Sequence, residues 1–231
     1  MKRVNIRSVK QGTGELVELY LESGLRGGRV LCPQNLIPLS GQHLLAHDLA
    51  TNAPLPVSVF YAGSAPGGFL IAPPIPQTWQ PGAILSLRGP LGKGFSLPSS
   101  ARCVALVALG ETSARLRSLL TNALEQDASV VLVSDLGLPE LPSEVEIQPV
   151  SALAEIAQWA DYLALDVPRE SLLRLQEMSG IGRQVGEAQV LVHMPMPCGG
   201  MGECGVCAVN VRRGWKLACK DGPVFDLNEL F

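Results

Sequence analysis

The sequence predicts three units in the order of a small antiparallel β-barrel, an α/β unit with a parallel sheet, and a short cysteine-rich unit. In the first unit, short apolar stretches are separated by glycine and proline. In the second, apolar strands alternate with segments of helical periodicity. In the third, four of the six cysteines of the chain are concentrated. The predicted boundaries are 1–98, 99–193 and 194–231.

Short strands at roughly ten-residue spacing predict the barrel, because this spacing is typical of small barrels and sandwiches. Turn-forming glycine and proline residues punctuate the spaces between them. The predicted strands are 4–10, 15–21, 42–46, 57–61, 68–72 and 84–88.

The α/β unit is predicted from 103–109, a continuous apolar run that suits a strand buried on both faces. A helix at 112–126 follows, because its leucines and alanines recur at helical spacing. Strands alternating with helices indicate a parallel, doubly wound sheet. The remaining predicted strands are 129–134, 162–166 and 190–193, with helices at 150–159 and 170–178.

Composition excludes several classes of protein. The chain is 47% hydrophobic and only 17% charged, with a net charge of -3 and a mean hydropathy of +0.24. Such a chain can bury a core, which excludes disorder as its main state, and it lacks the basic surface of a nucleic-acid-binding protein. The longest apolar run is far shorter than the ~20 residues that span a bilayer. With no secretory signal recognised at the N-terminus, we expect a cytoplasmic protein without a membrane span.

The cysteine spacing Cys198-x5-Cys204-x2-Cys207-x11-Cys219 predicts a metal centre. In a reducing compartment such a cluster indicates metal binding rather than a disulfide framework. The spacing differs by one residue from the C-x4-C-x2-C pattern of plant-type 2Fe–2S sites, which a distant fourth cysteine completes. Structural zinc is the alternative, although zinc sites usually pair two CxxC motifs or include histidine.

Glycines between these cysteines favour a loop that curls around a cluster, because glycine adopts backbone angles that other residues resist. We expect 208–212 to form a strand and Gly214 a hairpin turn, so that the return strand brings Cys219 beside the loop. The interleaved glycines are Gly199, Gly200, Gly202 and Gly205.

Two motifs, CKDGPVFD at 219–226 and GPLGKGF at 89–95, carry a resemblance together with the cysteine segment and the order of units. The chain resembles the electron-transfer subunit of heterotetrameric, NAD-dependent dihydroorotate dehydrogenases and, more broadly, the ferredoxin–NAD(P)⁺ reductase-like flavoproteins. The resemblance implies a ferredoxin-reductase-like fold and electron transfer between a partner flavin dehydrogenase and NAD, through a 2Fe–2S cluster and FAD. It further implies a hetero-oligomer in pyrimidine biosynthesis, with the cluster ligands Cys198, Cys204, Cys207 and Cys219.

The chain departs from this family at three nucleotide sites. Leu55 stands where the family has an arginine for the flavin diphosphate, and a leucine cannot donate to phosphate. The turn after the first α/β strand retains only Gly110 and adds an acid, Glu111. In the family a Cys-Gly-Pro turn lies near the nicotinamide, and this chain has the sequence LDVP at 165–168 in its place. We therefore expect NAD binding to be lost.

FAD remains a candidate cofactor for which the resemblance supplies few contacts. The GPLGKGF motif has two interpretations, a loop near the flavin and the domain junction, or a tight turn at the exit of the barrel. The candidate FAD-binding residues are Pro56, Ser58, Gly89 and Pro90.

The remaining residues do not indicate hydrolytic chemistry, and no side chain is predicted to be catalytic. We expect His43 and His47 to be ordinary surface or half-buried residues and His193 to be placed to donate a hydrogen bond to a cluster sulfur. We expect Trp215 to shield the cluster or to fill the domain interface. The leading hypothesis is an electron-transfer subunit. The alternatives are a complete NAD-dependent reductase and a degenerate scaffold or regulatory subunit with a structural metal.

Overall fold

The structure, a computed structural model, describes residues 9–136, 141–178, 186–198 and 200–231. The strand predicted at 4–10 therefore falls almost entirely outside the described residues, and its last two residues are not in a strand.

Six antiparallel strands form a closed barrel in the order β1-β2-β5-β4-β3-β6, which confirms the predicted barrel. One of them, β2, was not predicted, because glycines interrupt its apolar pattern. Those glycines are required by packing: a Cβ atom on Gly27 would lie 2.3 Å from the Tyr20 ring. The strands are β1 Gln11–Glu22, β2 Leu25–Leu31, β3 His43–Asp48, β4 Val57–Ala65, β5 Gly68–Ile71 and β6 Ile84–Leu91.

The barrel has an apolar interior and an outer face that carries polar side chains. Alternation along each strand sends Leu44, Val59 and Leu87 into the interior. Cross-strand pairing places the residues between them together outside, since Leu45 lies opposite Ser58 on one side and Arg88 on the other. We call the outward residues of β3, β4 and β6 the outer barrel face: His43, Leu45, Ser58, Phe60 and Arg88.

The α/β unit is a six-stranded sheet in the order β14-β11-β10-β7-β8-β9, parallel except for β14. Apolar side chains of β7, β8 and β10 enter separate cores on the two faces of the sheet, which is why these strands read as continuous apolar runs. The strands are β7 Cys103–Ala108, β8 Ser129–Val133, β9 Val145–Gln148, β10 Tyr162–Pro168, β11 Glu187–His193 and β14 Val224–Asp226.

The predicted helices of this unit are present but shorter than predicted, because each begins with a 3₁₀ turn. The connections after β7 and β10 open the crevice at the carboxyl edge where doubly wound sheets bind ligands. The helices are α1 Arg117–Glu125, α2 Leu153–Trp159 and α3 Leu172–Glu177.

The C-terminal segment forms a two-stranded hairpin, β12 Ala208–Val211 and β13 Gly214–Leu217. Two short helices, α4 Ala218–Asp221 and α5 Leu227–Leu230, follow on either side of β14. Because β14 pairs with β11, this segment completes the α/β sheet and shares its core. Among the described residues, no helix is long and apolar enough to cross a membrane.

Candidate iron-sulfur centre and adjoining cleft

The C-terminal hairpin brings two of the predicted ligands together, as the sequence predicts. Ala208 lies opposite Leu217, and the Ala218 amide donates to the Cys207 carbonyl at 2.9 Å. Cys207 and Cys219 consequently lie on adjacent backbone, and both are buried in the core that covers one face of the sheet. These two side chains form the inner half of the candidate centre.

The outer half consists of Cys198, which is half-buried, and Cys204, which is exposed. The Cys198 thiol forms hydrogen bonds with Cys204 and Cys219, and Cys219 does so with Cys207. Within the described part of the chain, no three histidine, cysteine or acidic side chains meet the geometry of a metal site. The thiols thus approach one another in pairs, and closing around one centre requires the loop to tighten.

The two halves of the centre differ in acidity. Burial acts to raise the pKa of Cys198, but hydrogen bonds from the Gly202 backbone and from the Cys204 and Cys219 thiols outweigh it and lower the pKa to about 7. Burial and the neighbouring Cys207 raise the pKa of Cys219. Soft thiolates suit iron-sulfur clusters and zinc. The four cysteines, linked through these pairwise contacts, therefore supply the type of ligand that the predicted cofactor needs.

The loop between Cys198 and Cys207 has the backbone that the glycine pattern predicts. Gly200, Gly202 and Gly205 have φ angles of +78°, +75° and +69°, in the left-handed region that favours glycine. Gly199, the fourth glycine of the pattern, lies outside the described residues. This conformation lets the chain double back within ten residues.

The two motifs that carry the resemblance meet in the structure. The Lys93 amide donates to the Gly222 carbonyl at 2.6 Å, and a Cβ atom on Gly92 would lie 2.4 Å from Pro223. The GPLGKGF loop therefore fixes the strand that follows Cys219 against the exit of the barrel. This contact makes the loop a junction between the barrel and the cysteine segment.

We expect Gly92→Ala to destabilise the protein more than Gly82→Ala does. Both glycines have positive φ, which costs an alanine roughly 1–2 kcal/mol. A Cβ atom at position 82 would meet nothing within 4 Å, whereas one at position 92 would overlap Pro223 and the Gly222 carbonyl. The overlap should add about 1–3 kcal/mol, measured as the difference in unfolding free energy by urea titration. Equal losses of unfolding free energy in the two variants would show that the residues at the junction can shift to accommodate the new Cβ atom without a measurable loss of stability.

A cleft lies between the barrel and the carboxyl edge of the sheet, with a volume of about 1030 Å³ counting the space open to solvent. Ser58 and Phe60 contribute from the outer barrel face, and Arg115 and His193 from the sheet edge. The wall continues through Met194, Pro195, Met196 and Pro197. Since Cys198 is the next residue, anything bound in the cleft lies beside the candidate centre.

A buried ionic network forms the sheet side of this cleft. The Arg115 Nε atom donates to both Asp166 carboxylate oxygens, at 2.8 and 3.1 Å, and Nη2 donates to the His193 Nε2 atom at 3.1 Å. His193 must therefore be neutral; burial and the Arg115 charge lower its pKa to about 3. Burial raises the pKa of Asp166, although Arg115 opposes this effect.

A second buried carboxylate lies at the turn after β7. Glu22, 2% exposed, accepts hydrogen bonds from Thr112 at 2.8 Å and from the first residue of α1, Arg117. In doubly wound folds this turn is where a dinucleotide phosphate binds. The Glu22 carboxylate of the barrel therefore already accepts hydrogen bonds from Thr112 and Arg117, the groups that would otherwise contact a phosphate at this turn.

The structure places the predicted site residues unevenly. Pro56 and Ser58 line the cleft, and so does Leu55, which is 57% exposed. Gly89 and Pro90 lie near the end of β6 and are not among the residues that line the cleft.

The expectations for two histidines were wrong. His43 is fully buried rather than at the surface or half-buried, because β3 lies between β4 and β6 in the barrel. His193 contacts Arg115 and Asp166 rather than a cysteine thiol, because β11 ends at the carboxyl edge beside β10. Trp215 is 66% exposed, so it does not fill the domain interface, and shielding of the cluster stays a prediction. Sequence reasoning also missed the Arg115–Asp166 pair, although an aspartate inside an apolar strand is itself a signal that a buried partner exists.

Comparisons with known proteins agree with this architecture. Residues 194–231 match the iron-sulfur cluster binding domain of dihydroorotate dehydrogenase B. A chain of the NADH-dependent reduced ferredoxin–NADP oxidoreductase, reported in work on flavin-based electron bifurcation, superposes with a TM-score of 0.73 at 18% identity, covering 94% of this chain and 89% of that one.

Two further structures share the fold at lower similarity. The ferredoxin reductase in carbazole 1,9a-dioxygenase has a TM-score of 0.59 at 15% identity and covers 79% of this chain and 71% of that one. The ferredoxin–NADP⁺ reductase from Plasmodium falciparum has a TM-score of 0.53 at 11% identity and covers 83% of this chain and 98% of that one.

The barrel, the parallel sheet and the C-terminal segment together define a ferredoxin-reductase-like fold, in which residues 194–231 match an iron-sulfur cluster binding domain. The match over residues 194–231 agrees with the resemblance to the electron-transfer subunit of dihydroorotate dehydrogenases.

Proposed function

We propose that this protein is a cytoplasmic electron-transfer subunit that relays electrons through a 2Fe–2S cluster to or from a flavin-containing dehydrogenase. The observation that carries the proposal is the contact among Cys198, Cys204, Cys207 and Cys219 within the segment that matches an iron-sulfur-binding family. We further propose that the partner is the catalytic subunit of a dihydroorotate dehydrogenase, in a hetero-oligomer that serves pyrimidine biosynthesis.

A 2Fe–2S cluster would supply one-electron transfer, and the chain's own residues would set how it is held. Cys207 and Cys219 would hold it from the core side, where burial excludes water. Cys198 and Cys204 would hold it from the loop side. Amides of the glycine-containing loop can donate hydrogen bonds to cluster sulfurs, which tunes a reduction potential.

The surface around Cys204 suits a docking partner. Three large apolar side chains on the same loop and hairpin are exposed: Met201 by 58%, Val206 by 44% and Trp215 by 66%. Exposed apolar patches of this kind mark protein interaction sites. A partner that covers them would bring its own redox centre close to the exposed edge of the cysteine centre.

The buried carboxylate at the β7 turn supports a relay rather than NAD oxidation by this chain. Glu22 accepts hydrogen bonds from Thr112 and Arg117, so these donors are already engaged where a dinucleotide phosphate would bind. We therefore propose that electrons enter or leave through a protein partner. FAD in the adjoining cleft is the second cofactor that we propose, supported by the shared reductase fold.

Cofactor analysis of anaerobically purified protein tests the proposal. We expect about two iron and two sulfide per chain, visible iron-sulfur absorption, and a low-temperature electron paramagnetic resonance signal after dithionite reduction. NADH alone should not bleach the cluster, whereas dihydroorotate should do so once the catalytic subunit is added. Stoichiometric zinc without iron-sulfur absorption would overturn the proposal in favour of a structural metal site.

A further inference from the structure

A groove lies between helix α3 and the hairpin strand β12, with a volume of about 1040 Å³ counting the space open to solvent. Its floor is apolar and rests on the core that contains Cys207 and Cys219. One side chain of its lining, Leu173, is 72% exposed, and exposed apolar surface at a binding groove is a mark of protein interaction. We call this feature the α3–β12 groove, and its apolar lining includes Leu172, Leu173, Ala208, Leu230 and Phe231.

Strand β12 has an unpaired edge beside this groove. In the part of the chain that the structure describes, β12 pairs only with β13. The Ala218 amide donates to the Cys207 carbonyl across the hairpin. Because hydrogen-bonded and non-hydrogen-bonded pairs alternate along antiparallel strands, Asn210 and Trp215 form a non-hydrogen-bonded pair. The backbone N–H and C=O of Asn210, which lines the groove, therefore point away from β13. Such an edge is a template for an added strand.

Two arginines line the groove at the two ends of β12. Arg169 lies in the 3₁₀ turn before α3, and Arg212 directly follows β12. Neither forms an ion pair with the acidic residues that the structure describes. Glu229, whose carbonyl accepts from the Arg212 amide, directs its carboxylate to Lys216 instead. The groove thus presents two positive charges without carboxylate partners, which selects an acidic occupant.

The groove adjoins the exposed surface around Cys204. The Arg169 Nη1 atom donates to the Val206 carbonyl at 2.6 Å, and the Val206 side chain is one of the exposed apolar groups of that surface. A guanidinium carries five N–H donors, so this bond leaves Arg169 able to bind a carboxylate. A protein that covers the surface around Cys204 can therefore extend into the groove.

We propose that the α3–β12 groove binds an extended, acidic segment of a protein partner. The segment pairs with β12 through the backbone of Asn210, packs apolar side chains on the floor, and places carboxylates on Arg169 and Arg212. In strand addition of this kind, main-chain hydrogen bonds supply affinity and side-chain contacts supply specificity. A strand of seven residues, roughly 20 Å long, is sufficient to reach both arginines, because β12 itself is only four residues long. The inference goes beyond the proposed relay and does not depend on which metal the cysteines bind.

Peptide binding to the full-length protein, purified with its metal content intact, tests this inference. The probe is a seven-residue peptide with glutamate at both ends, alternating threonine and valine between them, and uncharged acetyl and amide termini. We expect Arg169→Gln and Arg212→Gln each to weaken its binding about 3- to 10-fold, the effect of losing one charge-assisted contact at an accessible site. High salt should weaken it as well. Fluorescence anisotropy of the labelled peptide measures the affinities.

Arg174→Gln is the matched control, because Arg174 is an exposed arginine of the same helix that is not among the residues lining the groove. This variant should bind the probe as tightly as the unmodified protein does. A second control keeps the protein and changes the peptide. With lysine at both ends in place of glutamate, the peptide should bind at least about 10-fold more weakly, because like charges then meet at both arginines.

Two substitutions at Asn210 separate backbone pairing from side-chain contact. Proline removes the N–H that points away from β13 and so spares the hydrogen bonds of the hairpin, whereas alanine keeps this N–H. We expect Asn210→Pro to lose the probe and Asn210→Ala to retain it. If Asn210→Pro does not fold, a peptide with two adjacent prolines at its centre, added to the unmodified protein, replaces this variant and should not bind.

Four results would overturn the inference: no binding of the glutamate peptide, equal binding of the lysine peptide, unchanged affinity in both arginine variants, or undiminished binding of the proline peptide. Self-association of the unmodified protein that Arg212→Gln abolishes, measured by analytical ultracentrifugation, would overturn it in favour of a second copy of this chain. Iron and sulfide content of each variant reports on the relay function separately.

Discussion

Serine in place of Cys207 is expected to abolish iron-sulfur absorption, whereas serine in place of Cys103 should leave it unchanged. Cys207 is fully buried at the start of the hairpin and forms a hydrogen bond with Cys219. Serine offers a hard oxygen in place of a soft thiolate, which iron-sulfur clusters select. Cys103 is half-buried at the start of β7 and belongs to no cysteine contact of the centre.

The same substitution should lower the unfolding free energy, because metal binding contributes to folding when the ligands come from the core. Cys207 and Cys219 both pack in the core shared with the sheet. Iron content, sulfide content and urea unfolding of the Cys207→Ser and Cys103→Ser variants measure the two effects. Full iron content in Cys207→Ser would remove this residue from the ligand set.

Cys204→Ser separates an electron relay from a structural metal site. Cys204 is exposed and contributes nothing to the core, so we expect the variant to fold and to lose the redox signal. A purely structural metal would give the opposite result, with folding or assembly lost and no redox signal in the unmodified protein. Circular dichroism and electron paramagnetic resonance of the same sample distinguish these outcomes.

The parts of the fold that local pattern determines were predictable from the sequence. The continuous apolar run at β7 predicted a strand covered on both faces, because only such a strand needs no polar side. The cysteine spacing and Gly214 predicted the hairpin that returns to Cys219, and the Ala208–Leu217 register confirms it.

The parts that depend on distant residues were not predictable. Strand β2 carries Gly27 because Tyr20 of the neighbouring strand lies over it, and that packing is invisible in an apolar pattern. Strand β14 is only three residues long and exists because β11 offers it an edge. Edge pairing across more than thirty residues leaves no local signal.

The residues of the candidate site also fall into a group that local sequence predicts and a group that depends on contacts between distant residues. Its cysteines are close in sequence, so spacing alone was sufficient to predict them. The ionic network beside the cleft comes from the turn after β7, from β10 and from β11, and only the closed fold brings these groups together. The pairing of Arg115 with Asp166 was therefore overlooked.

Asp166→Asn is expected to destabilise the protein by about 3–5 kcal/mol, the usual cost of leaving a buried charge without its partner. The Asp166 side chain is fully buried, and the side chain of Arg115 is only 6% exposed. An asparagine there keeps the volume but leaves the Arg115 charge uncompensated beside a neutral His193. Urea unfolding at pH 7 measures the loss.

Glu18→Gln is the matched control, because it breaks an ion pair of similar length, 3.0 Å, in which the glutamate is 61% exposed. Exposed pairs contribute about 0–1 kcal/mol, so the control should scarcely change stability. If Asp166→Asn cost no more than Glu18→Gln, solvent would have to reach Arg115 from the cleft.

A double substitution tests the physical cause of this loss. Replacing a buried ion pair by apolar side chains of similar volume is often neutral, because desolvation of both charges is avoided. Arg115→Met combined with Asp166→Leu should therefore be more stable than Asp166→Asn alone, despite removing more hydrogen bonds. The double variant also loses the donor to His193 and to the Pro73 carbonyl. If the double variant is nevertheless more stable than Asp166→Asn, we infer that the Arg115–Asp166 ion pair is retained for the charge that it presents at the cleft.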